Sequence, residues 1–178
     1  MTGIIVRVTP LATPAIAGVQ WDEDSFTLSC EIRYAPDIQP APPPTLSDQL
    51  DEQFGIPPDA PRVITAGTLT LTIDRADRLC SLDFYTNVDH WQQVDTLPPI
   101  PVSPHTPSFG AVFDALGRAS AQEPAVGYDR ASRCIYLIWR DDASIGYAIA
   151  PNLSVAAAAD GSLARIELAG VSPFQRLD

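Results

Sequence analysis

Three aspartates, Asp22, Asp74 and Asp129, constrain this chain more than any other feature of it. Aligned on them, VQWDEDSFTLSCEI, LTIDRADRLCSLDF and VGYDRASRCIYLIW superpose their apolar positions without a gap. Three residues before the aspartate stand Val19, Leu71 and Val126, and one before it Trp21, Ile73 and Tyr128. Six, eight and ten residues after it come Leu28, Cys30 and Ile32; Cys80, Leu82 and Phe84; and Ile135, Leu137 and Trp139. Period-two spacing on both sides of a polar break describes two strands presenting one face each to a common core. If the residue before the aspartate opposes the one six after it, the pleat puts both on one face, and four residues remain for the loop: Glu23 to Phe26, Arg75 to Arg78, and Arg130 to Arg133. Such loops are built on a type I turn, whose first position favours Asp because its carboxylate accepts a nearby backbone N–H. The recurring aspartate therefore has a structural explanation that needs no catalysis.

A fourth hairpin lies in LSVAAAADGSLARIEL. Asp160 and Gly161 suit the positive-φ positions of a type I′ turn, setting Ala157 against Ala164, Val155 against Ile166 and Leu153 against Leu168. Ser154, Ala156, Arg165 and Glu167 then take a face that meets solvent or a partner. Proline separates the strand-rich blocks at 1–35, 62–95 and 124–170: eight of the 18 prolines fall between Pro36 and Pro61 and five between Pro98 and Pro107. The connectors carry two helical signals, both placed to cover sheet ends or edges. TLSDQLDEQFG has Thr45 or Ser47 as N-cap, Leu46, Leu50 and Phe54 on one face, and Gly55 as its stop. SFGAVFDALG has Ser108 as cap, a stripe of Val112, Phe113 and Leu116, and Gly117 as its end. The expected architecture is a mainly-β single domain, 1–178, a sandwich or open barrel of repeated antiparallel hairpins with two short helices in proline-rich connectors.

With 178 residues and 46% hydrophobic content the chain can bury a real core, and its 18 prolines, 10 glycines and 19% charged residues fit neither a coiled coil nor a collagen. Twenty-two acidic side chains against 11 basic ones give a net charge of −11, so nucleic acid is not an expected partner. All 11 basic residues are arginine, which removes a P-loop lysine, a Schiff-base lysine and a lysine general base together. The acidity is uneven. Residues 1–61 hold nine carboxylates and two arginines, net −7, whereas 124–178 hold six and five, net −1. A basic protein partner would dock near the N-terminal third, where Asp24, Glu31, Asp48, Asp51 and Glu52 are the candidate contacts.

Cys30, Cys80 and Cys134 sit far apart in apolar runs and read as buried free thiols. With only His90 and His105 beside them, no zinc site has ligands at usable spacing, and no other metal or cofactor is expected. The first twenty residues lack a basic n-region and are interrupted by Arg7, Pro10 and Pro14, unlike a signal peptide. No run approaches the ~20 apolar residues that cross a bilayer, so the expected location is the cytoplasm.

The one enzyme-like cluster is DFYTNVDHWQQVD, with Asp83, Asp89, His90 and Asp95 as catalytic candidates, since a histidine beside carboxylates can act as a general base or bind a metal. Asp89 and His90 are adjacent, which on a strand points them to opposite faces. His105, in VSPHTPS, has no carboxylate for eight residues. There is no GxSxG elbow. Trp21-Asp22-Glu23-Asp24-Ser25 has the look of part of a calcium loop but lacks the glycine and distal glutamate of an EF-hand, and a turn cap explains it. Trp21 and Trp139 hold core positions of the pattern, leaving Trp91 as the expected surface aromatic and binding residue.

Tyr128-Asp129, Ile135-Tyr136-Leu137, Asp160-Gly161 and Ile166-Glu167-Leu168 resemble a family of small uncharacterised bacterial domains, over residues 126–170. Where that family usually carries glycine before its Ile-Glu pair, this chain has Arg165. The resemblance implies a β-hairpin architecture and no chemistry, and the block around Asp74 looks like a degenerate copy of its first half.

The functional expectation is a noncatalytic, cytoplasmic interaction module with an acidic N-terminal surface, of the inhibitor or immunity type. The alternative is a small hydrolase or metal-dependent enzyme centred on His90, and a third expectation is a homo-oligomer pairing sheet edges across a twofold axis.

Overall fold

The computed structural model describes residues 3–9, 12–36, 49, 53, 55, 61–95 and 97–173. The chain is mainly β. Its strands are β1 (Ile5–Val8), β2 (Ala15–Asp22), β3 (Thr27–Tyr34), β4 (Arg62–Ala66), β5 (Leu69–Ile73), β6 (Leu79–Tyr85), β7 (Gln92–Gln93), β8 (Val102–Ser103), β9 (Pro107–Gly110), β10 (Arg118–Ser120), β11 (Ala125–Asp129), β12 (Cys134–Ile138), β13 (Ala143–Ala150), β14 (Leu153–Ala158) and β15 (Leu163–Ala169). They form a six-stranded sheet, β10-β4-β5-β6-β3-β2, a seven-stranded sheet, β7-β11-β12-β15-β14-β13-β8, and a two-stranded ribbon, β1-β9. No sheet among the described residues closes into a barrel.

One buried cluster joins all three. Leu28, Leu71 and Leu82 enter it from the six-stranded sheet, Ile135, Leu137 and Ile166 from the seven-stranded one, and Val6 and Phe109 from the ribbon. Each such side chain contributes on the order of 1.5–3 kcal/mol when removed from water. The ribbon ties the sheets at one end: the Val6 N–H donates to Gly161 O at 2.8 Å, and the Phe109 N–H to Asp77 O at 2.6 Å.

The hairpin registers follow from the turns. Trp21 pairs with Leu28 and Asp22 with Thr27; Tyr128 pairs with Ile135 and Asp129 with Cys134. Asp22 Oδ1 accepts the N–H groups of Asp24 and Ser25 at 3.0 and 3.4 Å, while Ser25 Oγ donates to Oδ2 at 2.8 Å. Asp129 repeats this with Ala131, Ser132 and Ser132 Oγ at 2.8, 3.4 and 2.7 Å. Each loop ends on a residue at φ 53°, Phe26 or Arg133.

The Asp74 hairpin differs. Its N–H donates to Arg78 O, Asp77 adopts φ 61°, and Leu79 rather than Cys80 faces Ile73 across a register shift. Leu79 thus fills the core, and Cys80 is half-buried, with its thiol donating to Thr72 O. Asp114 makes the same bend, its N–H on Arg118 O and Gly117 at φ 70°.

That bend replaces the helix expected over 108–117. Phe109, Ala111 and Phe113 alternate toward the core from β9 onward, while Val112 and Leu116 are each 69% exposed. The apolar spacing there is two, not 3.6. Of the helix expected over 45–55, Gln49 and Gln53 are helical and Gly55 carries φ 69°; the remainder lies outside the described residues.

The turn at Asp160-Gly161 also departs from expectation. Only Gly161 has positive φ, and the bonds Gly161 N–H to Ala158 O and Ala158 N–H to Ser162 O enclose three residues. This is a type I turn closed by a left-handed glycine, and the extra residue sets Ala157 against Leu163, while Val155–Ile166 and Leu153–Leu168 keep the anticipated pairing.

Candidate functional site

Two surfaces have the chemistry to bind something: a cavity over the seven-stranded sheet, and the outward face of the six-stranded sheet.

The cavity is made by the second proline-rich connector. Its residues form β7 against β11 at one edge of the seven-stranded sheet and β8 against β13 at the other, both parallel. The segment between them is a strap across the outer face. It is pinned by the Val94 N–H on Tyr128 O at 3.1 Å and the Gly146 N–H on Pro101 O at 2.8 Å. Two strand glycines receive it: a Cβ on Gly127 would meet Val94 methyls at 3.1 Å, and one on Gly146 would meet Ile100 at 3.4 Å. These short strands cover the sheet edges that helices were expected to cover.

Beneath Leu97, Pro98, Pro99 and Ile100 lies a cavity of about 240 Å³ floored by Tyr136, Ser154, Arg165 and Glu167. The face expected to meet solvent is therefore roofed. Ala156 is 1% exposed and Arg165 8%. Register explains the grouping: Glu167 sits between Tyr136 and Ser154, and Arg165 between Ile138 and Ala156. Arg165 Nε lies 2.5 Å from Glu167 Oε1, an ion-pair contact, yet Nε has no hydrogen-bond partner.

One rung of the outward face of the six-stranded sheet is polar from edge to edge, although Ile16 and Tyr85 are exposed elsewhere on that face. Gln20, Ser29, Asp83, Thr70, Thr65 and Ser120 pair successively, forming one rung across all six strands. Each is exposed or half-buried, because the residues beside it, such as Leu28, Leu82 and Ile64, turn into the core. Glu31 occupies the next rung beside Ser81, diagonal to Asp83, and carries an exposed pair with Arg33 at 3.2 Å. Asp24 is exposed in the β2–β3 turn. Asp48, Asp51 and Glu52 lie outside the described residues.

The enzyme-like cluster does not converge. Asn87 Oδ1 accepts the Asp89 N–H at 2.9 Å and caps a 3-10 turn, Val88–His90, that leaves His90 exposed. Asp83, on β6, and Asp95, in the strap, are exposed as well. Among the described residues no three His, Cys, Asp or Glu side chains come together as a metal-binding group. His105 is half-buried, with Nδ1 3.2 Å from Ser103 Oγ.

Trp91 is not a surface aromatic. It packs on the core, edge-on to Trp21 at 5.2 Å and tilted against Tyr128 at 5.7 Å, and its indole N–H donates to Thr86 Oγ1 at 2.9 Å. Cys30 and Cys134 are buried free thiols as expected, whereas Cys80 is half-buried. Cys30 is in the core, and Cys134, alternating with Ile135 and Leu137, is buried on the outward side of β12. Burial pushes both thiols up to about 11, the Asp83 charge adding to the effect at Cys30. Neither is an activated nucleophile.

No helix among the described residues is long and apolar enough to cross a membrane. No family model matches the chain, and the curated proteins contain no significant sequence match to it.

Proposed function

We propose that this chain is a noncatalytic protein-interaction module that offers the outward face of its six-stranded sheet to a basic protein. The observation that carries the reading is the placement of exposed Asp83 and Glu31 on adjacent strands, diagonal to one another on neighbouring rungs of the outward face. Two carboxylates so placed can hold one bound cationic group between them, in competition with Arg33 at Glu31. The exposed turn residues Asp22, Glu23 and Asp24 extend the acidity at one end of β3. The scaffold we infer is a sandwich of repeated aspartate-marked hairpins, supported by the shared registers Trp21–Leu28, Leu71–Leu82 and Tyr128–Ile135.

The test is recovery of partners from the protein's own cell lysate at low and high salt, with wild type beside a Glu31→Gln, Asp83→Asn variant. A basic protein held at low salt, released at high salt and absent from the variant's eluate is the expected result. Recovery indifferent to both salt and substitution, or no partner at all, refutes the proposal.

A further inference from the structure

We propose that the cavity between the strap and the seven-stranded sheet binds a small aliphatic zwitterion of the α-amino-acid class, its carboxylate on the guanidinium of Arg165 and its ammonium on Glu167. The site is separate from the acidic face of the other sheet and does not depend on it.

The floor is unusual for a roofed β-sheet surface. Arg165 is 8% exposed, and Glu167 is its single ion-pair partner among the described residues, through Nε. Its buried Nε has no hydrogen-bond partner. A guanidinium so buried and so incompletely bonded is costly, and a carboxylate entering the cavity can accept from it. Glu167, two residues along β15, brings the opposite charge to the same floor, with Ser154 Oγ beside it as a further donor or acceptor. An anion alone would meet the Glu167 charge and a cation alone the Arg165 charge. A molecule carrying both satisfies both.

The remaining walls are apolar. Leu97, Pro98, Pro99 and Ile100 form the roof, and Gly146 and the small Ala148 and Ser154 leave the space open. At about 240 Å³ the cavity lies below the roughly 300–1,000 Å³ of sites for drug-sized molecules, which suits an occupant with a short branched side chain.

The experiment is calorimetric titration of the full chain with L-leucine, L-valine and L-methionine, against 4-methylpentanoate, which lacks the ammonium, and 3-methylbutylamine, which lacks the carboxylate. Two variants accompany it: Arg165→Gln, which removes the carboxylate's partner, and Ser154→Leu, which fills the space and leaves the charge pair intact. Saturable binding of at least one amino acid is expected, about tenfold or more weaker for both single-charge analogues and lost in Ser154→Leu with the fold intact by circular dichroism. Should Arg165→Gln fail to fold, Ser154→Leu and the analogues decide. No binding by any of the amino acids, equal binding of either analogue, or undiminished binding by folded Ser154→Leu overturns the proposal.

Discussion

Val94 rests directly on Gly127, so close that a Cβ on the glycine would come within 3.1 Å of both valine methyls. The contact sets the height of the strap above β11, and it makes Gly127→Ala a sensitive probe. Alanine normally gains about 0.5–1 kcal/mol over glycine within a strand, but overpacking costs about 1–3 kcal/mol. The clash wins: we expect a net loss of about 1 kcal/mol in urea denaturation and faster hydrogen exchange at the Val94 amide. Gly146→Ala, whose new Cβ would sit at an ordinary 3.4 Å from Ile100, serves as the mild control.

Asp129 and Asp22 make the same turn bonds in different surroundings, Asp129 being 4% exposed and Asp22 exposed. Removing the carboxylate leaves loop N–H groups without acceptors, and water can replace it only at Asp22. Asp129→Ala should therefore cost about 1–3 kcal/mol and Asp22→Ala about 0.5–1 kcal/mol. Equal losses in denaturant unfolding would show that burial does not distinguish the two turns.

Arg140 binds Asp142 through two nitrogens, at 2.8 and 2.6 Å, and Asp160 through a third at 2.8 Å, joining the start of β13 to the β14–β15 turn. The Arg140 guanidinium holds the Asp142 carboxyl below its ordinary 3.8, and the Ser162 N–H and hydroxyl, with Arg140, do the same for Asp160. Depressed folded-state values mean stabilisation that is present above pH 3.8 and disappears as the pH falls through the folded values. The stability difference between wild type and Arg140→Gln should accordingly be constant at neutral pH and vanish in strong acid. Melting temperatures of both proteins from pH 2 to 7 test this.

The thiols give a contrast in reactivity. Cys30 and Cys134, raised to about 11 and buried, expose roughly a hundredfold less thiolate at pH 8 than an ordinary thiol near 9. Half-buried Cys80 is also raised by burial, yet it is the accessible one. A disulfide reagent at pH 8 should label Cys80 first and the other two only on unfolding, as peptide mapping would show. The raised values also mean that stability declines as pH climbs from 9 toward 11.

How much of this was legible in the sequence depended on run length. The strand pairs flanking Asp22 and Asp129 were readable because five or more alternating residues sit on each side of a loop whose parity admits one register, and Trp21–Leu28 and Tyr128–Ile135 pair accordingly. Cys80 was expected in the core opposite Ile73, but the turn at Asp74 closes on Arg78 and adds a bulge that no alternation signals, so Leu79 takes that place. The strap escaped because β7 and β8 are two residues each, too short for periodicity. Its signals were indirect: glycines inside strand patterns at Gly127 and Gly146, and the apolar Val94 and Ile100 set among prolines. Arg165 looked like a solvent-facing strand residue for the same reason, since its cover comes from a segment some seventy residues earlier in the chain.

Nuclear magnetic resonance titration with an arginine-rich peptide, beside a neutral control of equal length, tests the interaction surface most directly. Amide shifts confined to the β3, β5 and β6 positions around Ser29, Glu31, Thr70 and Asp83, and abolished by Glu31→Gln, Asp83→Asn, are the predicted result. Shifts centred on the other sheet, or the same response to the neutral peptide, would contradict the assignment of that face as the docking surface.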